Sequence, residues 1–270
     1  MVGGDASGWL ALPGAFRPAR CYNLLLLQTI HVNIILFRSP EVELPLPRQD
    51  PRARHILAVL RRRPGDTFDA GLMNGPRGKG TLVAVEAEHL VLSFAWGASP
   101  PPLNPLTLLV GLPRPQTARD ILREATALGV AAMHFVRTTK SETGYAGSSL
   151  WTSGAWEECV ISGAAQAFCT RLPAVTHGQA LGEAVAQLPA RSTRLALDNY
   201  ESPVALSQTP VPAGSPVVLA LGAERGWSAA ERTELRQAGF AFVHLGERVL
   251  RTETAGIAAI ALLKAKCGWI

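Results

Sequence analysis

The chain has 270 residues, of which 47% are hydrophobic and 17% are charged, and it contains no long run of uncharged apolar residues. This length and composition are typical of a globular protein of one or two domains, and they argue against a membrane-spanning helix. The net charge of +5 at pH 7 is compatible with a polyanionic partner.

The cysteines give no sign of a metal site. Cys21, Cys159, Cys169 and Cys267 show neither CxxC spacing nor histidines at the spacing that metal ligands require. Scattered cysteines in a chain of this size predict reduced thiols in a cytoplasmic protein. A nucleophilic cysteine is the alternative interpretation.

Residues 1–31 show no turns or helix caps that link them to the rest of the chain. Their short apolar run, Leu24 to Leu27, is too brief for a membrane helix, and no clear signal-peptide cleavage site accompanies it. We interpret residues 1–31 as a disordered extension or a misassigned start, with the native protein beginning near Val32. A weak export signal is the alternative.

Residues 32–100 predict a compact β-barrel. A β-branched run from Val32 to Phe37 indicates a strand, and apolar residues at helical spacing indicate a helix from Pro51 to Leu60. Asn74-Gly75 predicts a turn. One short strand, Thr67–Ala70, is predicted before this turn, and two more, Gly80–Glu86 and Leu90–Ala95, are predicted after it. The proline-rich segment from Gly97 to Pro105 predicts a stiff linker.

Residues 101–270 alternate between apolar strands and helices, a pattern that predicts a mostly parallel α/β sheet. Thr117 and Ser228 are the predicted N-caps of two of these helices. The predicted strands are Leu106–Gly111, Val130–Val136, Arg194–Asp198, Val217–Leu221 and Phe240–Leu245. The predicted helices are Thr117–Leu128, one within Gly154–Phe168, Gln179–Leu188, one after Ser228, and Thr254–Lys264.

Two glycine-containing loops follow predicted strands of this second region. One is Gly222-Ala-Glu-Arg-Gly226 and the other is Leu245-Gly-Glu-Arg-Val-Leu-Arg251. Open α/β sheets bind ligands at the carboxyl ends of their strands, where glycine allows the backbone to approach a ligand closely. Neither loop has GxGxxG or P-loop spacing, which argues against a nucleotide-binding oxidoreductase. Ordinary strand-to-helix turns are the alternative interpretation.

The two loops and several other segments together resemble the ribosomal RNA small subunit methyltransferase E family of the SPOUT superfamily. The most specific segment is Leu245-Gly-Glu-Arg-Val-Leu-Arg-Thr-Glu-Thr-Ala255, which stands downstream of Gly222-Ala-Glu-Arg-Gly-Trp-Ser228. The helix Ile121–Val130, the tripeptide Ala164-Ala-Gln166 and the segment Arg54–Asp66 support the resemblance. It covers the chain from Val32 to its last residue.

The resemblance implies a PUA-like RNA-binding β-barrel in residues 32–100 and a SPOUT methyltransferase domain with a C-terminal trefoil knot in residues 101–270. It also implies a homodimer that uses S-adenosyl-L-methionine to methylate N3 of a uridine in 16S rRNA of the small ribosomal subunit. Carried onto this chain, the cofactor would contact Leu221, Gly222, Glu224, Gly226, Leu245, Gly246, Val249, Leu250 and Thr254.

Two further groups of residues are assigned roles. Uracil N3 carries a proton at neutral pH, so we expect Arg251 to stabilise charge on a uracil oxygen and Glu253 to accept a proton or orient Arg251. A structural ion pair is the alternative for these two residues. A basic cluster is expected to bind RNA phosphates, with a merely solvated surface as the alternative: Arg48, Arg52, Arg54, Arg61, Arg62 and Arg63.

Several positions depart from the family pattern. Ala223 and Arg225 replace Pro and Gly in the first loop, and Arg225 is expected to limit the backbone and narrow the cofactor mouth. Ala127, Lys140, Ala165 and Cys169 are the other departures. They leave open a divergent paralogue with an altered target, or an RNA-binding ribosome-assembly protein without turnover. Trp227, beside the first loop, is interpreted either as a core residue or as a lid over the pocket.

Overall fold

The structure is a computed structural model that describes residues 33–212 and 214–270. The interpretation of residues 1–31 lies outside these described residues. No helix in the described part of the chain combines the length and the apolar character needed to cross a membrane.

The first region folds as a five-stranded sheet with the order β1-β3-β4-β5-β2. Its strands are β1 (Ile35–Phe37), β2 (Leu46–Pro47), β3 (Thr67–Leu72), β4 (Arg77–Val85) and β5 (His89–Trp96). β1 is parallel to β3 and the other neighbours are antiparallel. The four strands predicted for this region are therefore confirmed, and Asn74, with a φ of 59°, forms the predicted turn.

A short helix covers the core of this sheet. Helix α1 (Pro51–Arg54) continues as one π-helical stretch (His55–Val59), and a 3-10 helix (Ser39–Glu43) precedes it. Asp50 caps α1 by accepting a hydrogen bond from the Arg52 amide, at 2.8 Å. Ile56 is fully buried against the sheet residues Phe37, Phe68 and Leu82.

The second region forms a seven-stranded sheet with the order β10-β12-β9-β11-β6-β7-β8, and every neighbouring pair is parallel. The strands are β6 (Asn104–Gly111), β7 (Val130–Arg137), β8 (Ala174–Ala180), β9 (Thr193–Leu197), β10 (Val204–Ala205), β11 (Val217–Leu221) and β12 (Ala241–His244). The prediction of a mostly parallel α/β sheet is confirmed.

Helices cover both faces of this sheet, which explains why its central strand β11 is apolar throughout. In β11, Val217, Leu219 and Leu221 face the core on one side, whereas Val218 and Ala220 face the core on the other. The helices are α2 (Pro115–Ala127), α3 (Ser149–Thr152), α4 (Ala155–Gln166), α5 (Leu181–Ala186), α6 (Ala229–Gln237) and α7 (Thr252–Lys266). Helices α2, α4 and α7 pack on the first side, and α5 and α6 pack on the second.

Two details of the predicted elements are wrong. Helix α2 begins at Pro115 with Arg114 as its N-cap, and Thr117 lies inside the first turn, buried. Proline is favoured at the first helical position because its φ is preset and it lacks the N–H that would stay unpaired there. The predicted helix from Gln179 to Leu188 is shorter, because residues up to Ala180 belong to β8.

The two sheets are joined by a contact that is distant from the proline-rich segment. Thr170 is fully buried, and its Oγ1 donates a 2.6 Å hydrogen bond to the carbonyl oxygen of Gly75. The amide of Asn74 donates to the Thr170 carbonyl at 2.7 Å. The side chain of Asn74 in turn accepts a hydrogen bond from the Leu172 amide at 3.0 Å. The β3–β4 turn is therefore tied to the segment between α4 and β8.

Candidate functional site

A cleft lies at the carboxyl ends of three neighbouring strands, β9, β11 and β12. The loop after each strand supplies one wall, and the space between the walls, including the part open to solvent, is about 790 Å³. The lining residues are Leu197, Asp198, Asn199, Tyr200, Leu221, Gly222, Ala223, Glu224, Arg225, Gly226, Leu245, Arg248, Val249, Leu250, Thr252 and Ala255.

The loop after β11 contains two glycines, one at a close backbone contact and the other at a positive φ. A Cβ atom added to Gly222 would lie 2.9 Å from the Cα atom of Gly226, so this close approach of backbone to backbone leaves no room for a side chain. Gly226 has a φ of 66°, and its amide donates to the Ala223 carbonyl at 2.7 Å. A left-handed residue and a crossing of this kind are both conformations that favour glycine. At Gly222 and Gly226 the loop therefore presents backbone to the cleft.

Glu224 and Arg225 occupy the exposed tip of this loop. The carboxylate of Glu224 accepts a 3.0 Å hydrogen bond from the backbone amide of Arg114, the N-cap residue of α2. Arg225 is not among the residues with positive φ, so the backbone accepts a side chain at this position without strain. Arg225 lines the cleft, and the expectation that it narrows the cofactor mouth stays a prediction.

Helix α6, which follows this loop, begins with the predicted capping box. Ser228 Oγ accepts from the Glu231 amide at 3.3 Å, and Glu231 Oε2 accepts from the Ser228 amide at 2.7 Å. Burial favours the neutral form of Glu231, but hydrogen bonds from the amides of Ser228 and Thr139 outweigh it and lower the pKa of this carboxyl. Trp227 is fully buried in the core beside this cap, where its Nε1 donates to the Leu197 carbonyl at 3.2 Å. It is a core residue and not a lid.

The loop after β12 forms the opposite wall. Gly246 has a φ of 107°, and its amide donates to Nδ1 of His244 at 3.0 Å, which closes the turn at the end of the strand. Leu245, Val249 and Leu250 line the cleft, and Val249 is 79% exposed. Of the predicted cofactor residues, Gly246 shapes the turn without lining the cleft, and Thr254 lies outside the lining. Thr252 and Ala255, in the first turn of α7, line it instead.

The third wall, the loop after β9, was missed by the sequence analysis. Asp198 is buried, and its carboxylate accepts hydrogen bonds from the amides of Tyr200 and Glu201, both at 2.7 Å, and from Arg232 Nε at 2.8 Å. Asn199 and Tyr200 are thereby held at the edge of the cleft. This loop contains no glycine, so it lacks the feature by which the other two loops were predicted. The sequence feature that could have indicated it is Asp198-Asn199 directly after an apolar strand.

Arg251 and Glu253 lie at the start of α7, next to the cleft. Arg251 is the exposed N-cap residue, and Glu253 stands in the first turn, partly buried. Within residues 33–212 and 214–270 neither side chain takes part in an ion pair, so the structural ion pair considered as an alternative does not form. Arg251 is flanked by the lining residues Leu250 and Thr252.

The six arginines of the basic cluster lie in the first region in different environments. Arg48, Arg54, Arg61 and Arg63 are exposed. Arg52 is partly buried, with salt bridges of 2.8 Å to Asp50 and 2.6 Å to Glu41. The Nε atom of Arg62 is buried and has no hydrogen-bond partner among the described residues. Arg61, with a φ of 53°, holds the turn that follows the π-helical stretch.

The remaining family departures lie in different places. Lys140 follows β7 and contacts the β11 loop, whereas Ala165 and Cys169 lie at the end of α4, far from the lining of the cleft. Ala127 is the last residue of α2. Cys159, Cys169 and Cys267 are free thiols.

Comparison with known proteins gives consistent matches. The family model for an RNA methyltransferase domain matches residues 99–264. The ribosomal RNA small subunit methyltransferase E of Treponema pallidum is 34% identical over 249 residues, covering 87% of this chain and 91% of that protein. The ribosomal RNA small subunit methyltransferase E 1 of Borreliella burgdorferi is 26% identical, covering 87% of this chain and 98% of that protein.

Solved structures match as well. The ribosomal RNA small subunit methyltransferase E of Neisseria gonorrhoeae, bound to S-adenosyl methionine, superposes with a TM-score of 0.66 at 27% identity, covering 86% of this chain and 97% of that one. A probable rRNA-methyltransferase of Porphyromonas gingivalis gives a TM-score of 0.74 at 23% identity, covering 87% of this chain and 99% of that one. The latter match supports the fold alone.

Proposed function

Because this chain belongs to the ribosomal RNA small subunit methyltransferase E family of RNA methyltransferases, we propose that it uses S-adenosyl-L-methionine to methylate N3 of a uridine in 16S rRNA. The observation that carries the proposal is the cleft at the carboxyl ends of β9, β11 and β12, with two of its walls formed by the glycine loops. Open parallel sheets bind their ligands at this edge. The similar Neisseria protein was crystallised with the same cofactor.

The described residues fit such a cofactor. At Gly222 a Cβ would collide with the backbone of Gly226, so this part of the β11 wall consists of main-chain groups, which can hydrogen-bond a polar ligand. Leu221, Leu245 and Leu250 supply apolar lining for an adenine ring or a methylene chain. We propose that these residues, with Glu224, Gly226 and Val249, hold the cofactor, while Gly246 fixes the turn beneath it.

Methyl transfer to uracil N3 requires that the base be positioned against the methyl group and that the N3 proton be removed. S-adenosyl-L-methionine, when bound, supplies a methyl group that its sulfonium already activates. We propose that Arg251 stabilises the negative charge that develops on a uracil oxygen, and that Glu253 accepts the N3 proton or orients Arg251. Arg251 is exposed, and its guanidinium group has no partner among the described residues. All of its N–H donors can therefore bind an incoming base.

The exposed arginines of the first region suit the binding of the RNA backbone. We propose that Arg48, Arg54, Arg61 and Arg63 contact phosphates, since exposed guanidinium groups bind phosphate without reading sequence. Arg62, whose buried Nε lacks a partner among the described residues, belongs to the same turn. Arg52 contributes charge to this surface while serving mainly as a structural link. The five-stranded sheet would then act as a PUA-like RNA-binding domain.

The finer architecture is also part of the proposal. β12 lies on the far side of β9 from β11, yet α7 packs against α2, which follows β6. We propose that the segment between β12 and α7 crosses the carboxyl ends of β9 and β11, an arrangement that supports a C-terminal trefoil knot. We further propose that the protein works as a homodimer in the cytoplasm.

Two measurements test the function. Calorimetry with the full chain is expected to show binding of S-adenosyl-L-methionine with micromolar affinity. Mass mapping of 16S rRNA, after incubation with small subunits that lack the modification, is expected to show one new methyl group on a uridine. Cofactor binding without methyl transfer would support an RNA-binding paralogue that lacks turnover, and the absence of both would remove the proposal.

A further inference from the structure

The segment after β7 is attached to the cofactor loop by a single ammonium group. Lys140 Nζ donates hydrogen bonds to the carbonyl oxygens of Trp227, at 2.8 Å, and of Arg225, at 3.1 Å. These two carbonyls flank Gly226, the residue at which the loop after β11 turns back. One side chain from a distant part of the sequence thus holds both sides of the turn.

The support beneath Lys140 is itself well fixed. The amide of Thr139 donates to Glu231 Oε1 at 2.6 Å, which joins the segment to the capping box of α6. Ser141 Oγ donates to the Leu112 carbonyl at 2.7 Å, which joins it to the end of β6, and lies 2.6 Å from Thr138 Oγ1. Residues 138–141 are therefore anchored to elements that do not line the cleft, and the ammonium group extends from this anchor to the loop.

Few other hydrogen bonds hold the β11 loop, and one of them is accepted by the carboxylate of Glu224 from the Arg114 amide. Within residues 222–226 the one backbone hydrogen bond of the described structure runs from the Gly226 amide to the Ala223 carbonyl. Lys140 forms no salt bridge with any described residue, so the two carbonyl oxygens are the protein partners of its ammonium group. Hydrogen bonds from a charged donor are roughly twice as strong as neutral ones.

We propose that Lys140 is a positioning residue for cofactor binding. Its ammonium group holds the carbonyls of Arg225 and Trp227 outside the cleft, and this fixes the main-chain wall from Gly222 to Gly226 in the shape that receives the cofactor. The inference rests on the proposed function for the identity of the ligand. The attachment itself is a property of the fold and has its own readout.

The test compares two lysines that both donate to backbone carbonyls. Lys140→Met removes the ammonium group at nearly constant volume, and the affinity for S-adenosyl-L-methionine is expected to fall by about tenfold or more. Lys264, whose Nζ donates to the Leu128 carbonyl at 2.8 Å at the other end of α7, is the matched control. Lys264→Met is expected to leave the affinity within about twofold. Lys140→Arg, which keeps the charge and adds donors, is expected to recover part of the lost affinity.

A second readout does not require the cofactor. Limited trypsin digestion followed by mass spectrometry is expected to cut Lys140→Met after Arg225 at least several-fold faster than the wild type, with no such change in Lys264→Met. Equal losses of affinity in both methionine variants, or no faster cleavage after Arg225, would overturn the inference. If the wild-type protein does not bind the cofactor, the proposed function fails, and the digestion still decides the role of Lys140.

Discussion

Arg251 is the side chain whose proposed role can be tested most directly. It is exposed between two lining residues, and no described residue neutralises its charge. Arg251→Ala is expected to lower turnover by on the order of a hundredfold, the effect of losing one preorganised donor to a developing oxyanion. Cofactor affinity should change little, because the cleft walls are mostly main chain and aliphatic side chains. Single-turnover methyl transfer and calorimetry measure the two effects separately.

Arg251→Lys provides the control for charge. It keeps the positive charge but loses the planar fork of donors, so we expect it to recover only part of the rate. If Arg251→Ala turns over at the wild-type rate, or loses affinity and rate together, the assigned role is wrong.

Arg52 and Arg54 are two residues apart and should respond differently to substitution. Arg52 joins Asp50 and Glu41 and lies over the ring of Phe37, at 5.0 Å, whereas Arg54 is exposed. Arg52→Met is expected to cost about 1–3 kcal/mol of folding free energy, because two carboxylates lose their charged donor. Arg54→Met is expected to leave stability unchanged and to reduce the salt dependence of RNA binding by about one phosphate contact. Urea unfolding and salt titrations of RNA affinity measure these outcomes.

The contribution of Arg52 to the free energy of unfolding should depend on pH. Burial opposes ionisation of Asp50 and Glu41, but hydrogen bonds from Arg52 outweigh it, and the pKa of each carboxyl lies below its usual range. A lowered pKa in the folded state contributes stability above the unfolded-state pKa of about 4 and loses it as the pH falls through the folded-state pKa. The stability difference between the wild type and Arg52→Met should therefore shrink between pH 7 and roughly pH 3. A constant difference would contradict the assignment.

At the scale of single elements, the loop after β11 offers a sharp test of shape. Gly222→Ala places a methyl group against the backbone of Gly226, so the loop must shift, and the cofactor affinity should fall by about tenfold or more. Gly144 is the control, since a Cβ there would meet no atom within 4 Å. Gly144→Ala should bind the cofactor as the wild type does. Equal affinity in both variants, measured by calorimetry, would show that the main chain of this loop does not contact the cofactor.

The elements also show what the sequence can and cannot predict. β6, β7 and β11 are runs of apolar residues that are buried on both faces, so their positions could be predicted to within about two residues. β8 was missed because it lies at an edge of the sheet and is half-buried, so that Thr176, His177 and Gln179 interrupt its apolar pattern. Two walls of the cleft were predicted from glycines. The wall at Asp198 was not, because its shape comes from a buried ion pair with Arg232 in a distant helix.

At the scale of the whole molecule, the order of strands could not be predicted from the sequence pattern. β12 lies between β9 and β10, and β11 lies between β9 and β6. The strands at the centre of the sheet are buried on both faces, so local hydrophobicity does not distinguish one neighbour from another. The family resemblance, and not periodicity, was what placed the two glycine loops at one cleft.

The contact between the two sheets should make them unfold together. Thr170 Oγ1 and Gly75 form a buried hydrogen bond across this contact. Thr170→Val keeps the shape but leaves the Gly75 carbonyl without its donor, so we expect a loss of about 1–3 kcal/mol in a single urea transition. Thr152→Val is the control, because Thr152 Oγ1 bonds within its own exposed helical turn at 3.1 Å. It should cost about 0.5 kcal/mol or less. A separate early transition in Thr170→Val would show that the sheets are independent.

The strand order described above also bears on when the protein can first act during its synthesis. β6 pairs with β11, where Leu106 lies opposite Val217, so the centre of the second sheet cannot close until most of the chain has been made. The last wall of the cleft, from Leu245 to Ala255, is synthesised later still. A nascent chain that still holds these residues inside the ribosome has no complete cofactor cleft. Such a chain is therefore expected to be inactive as a methyltransferase until these residues have left the ribosome and packed against β9 and β11.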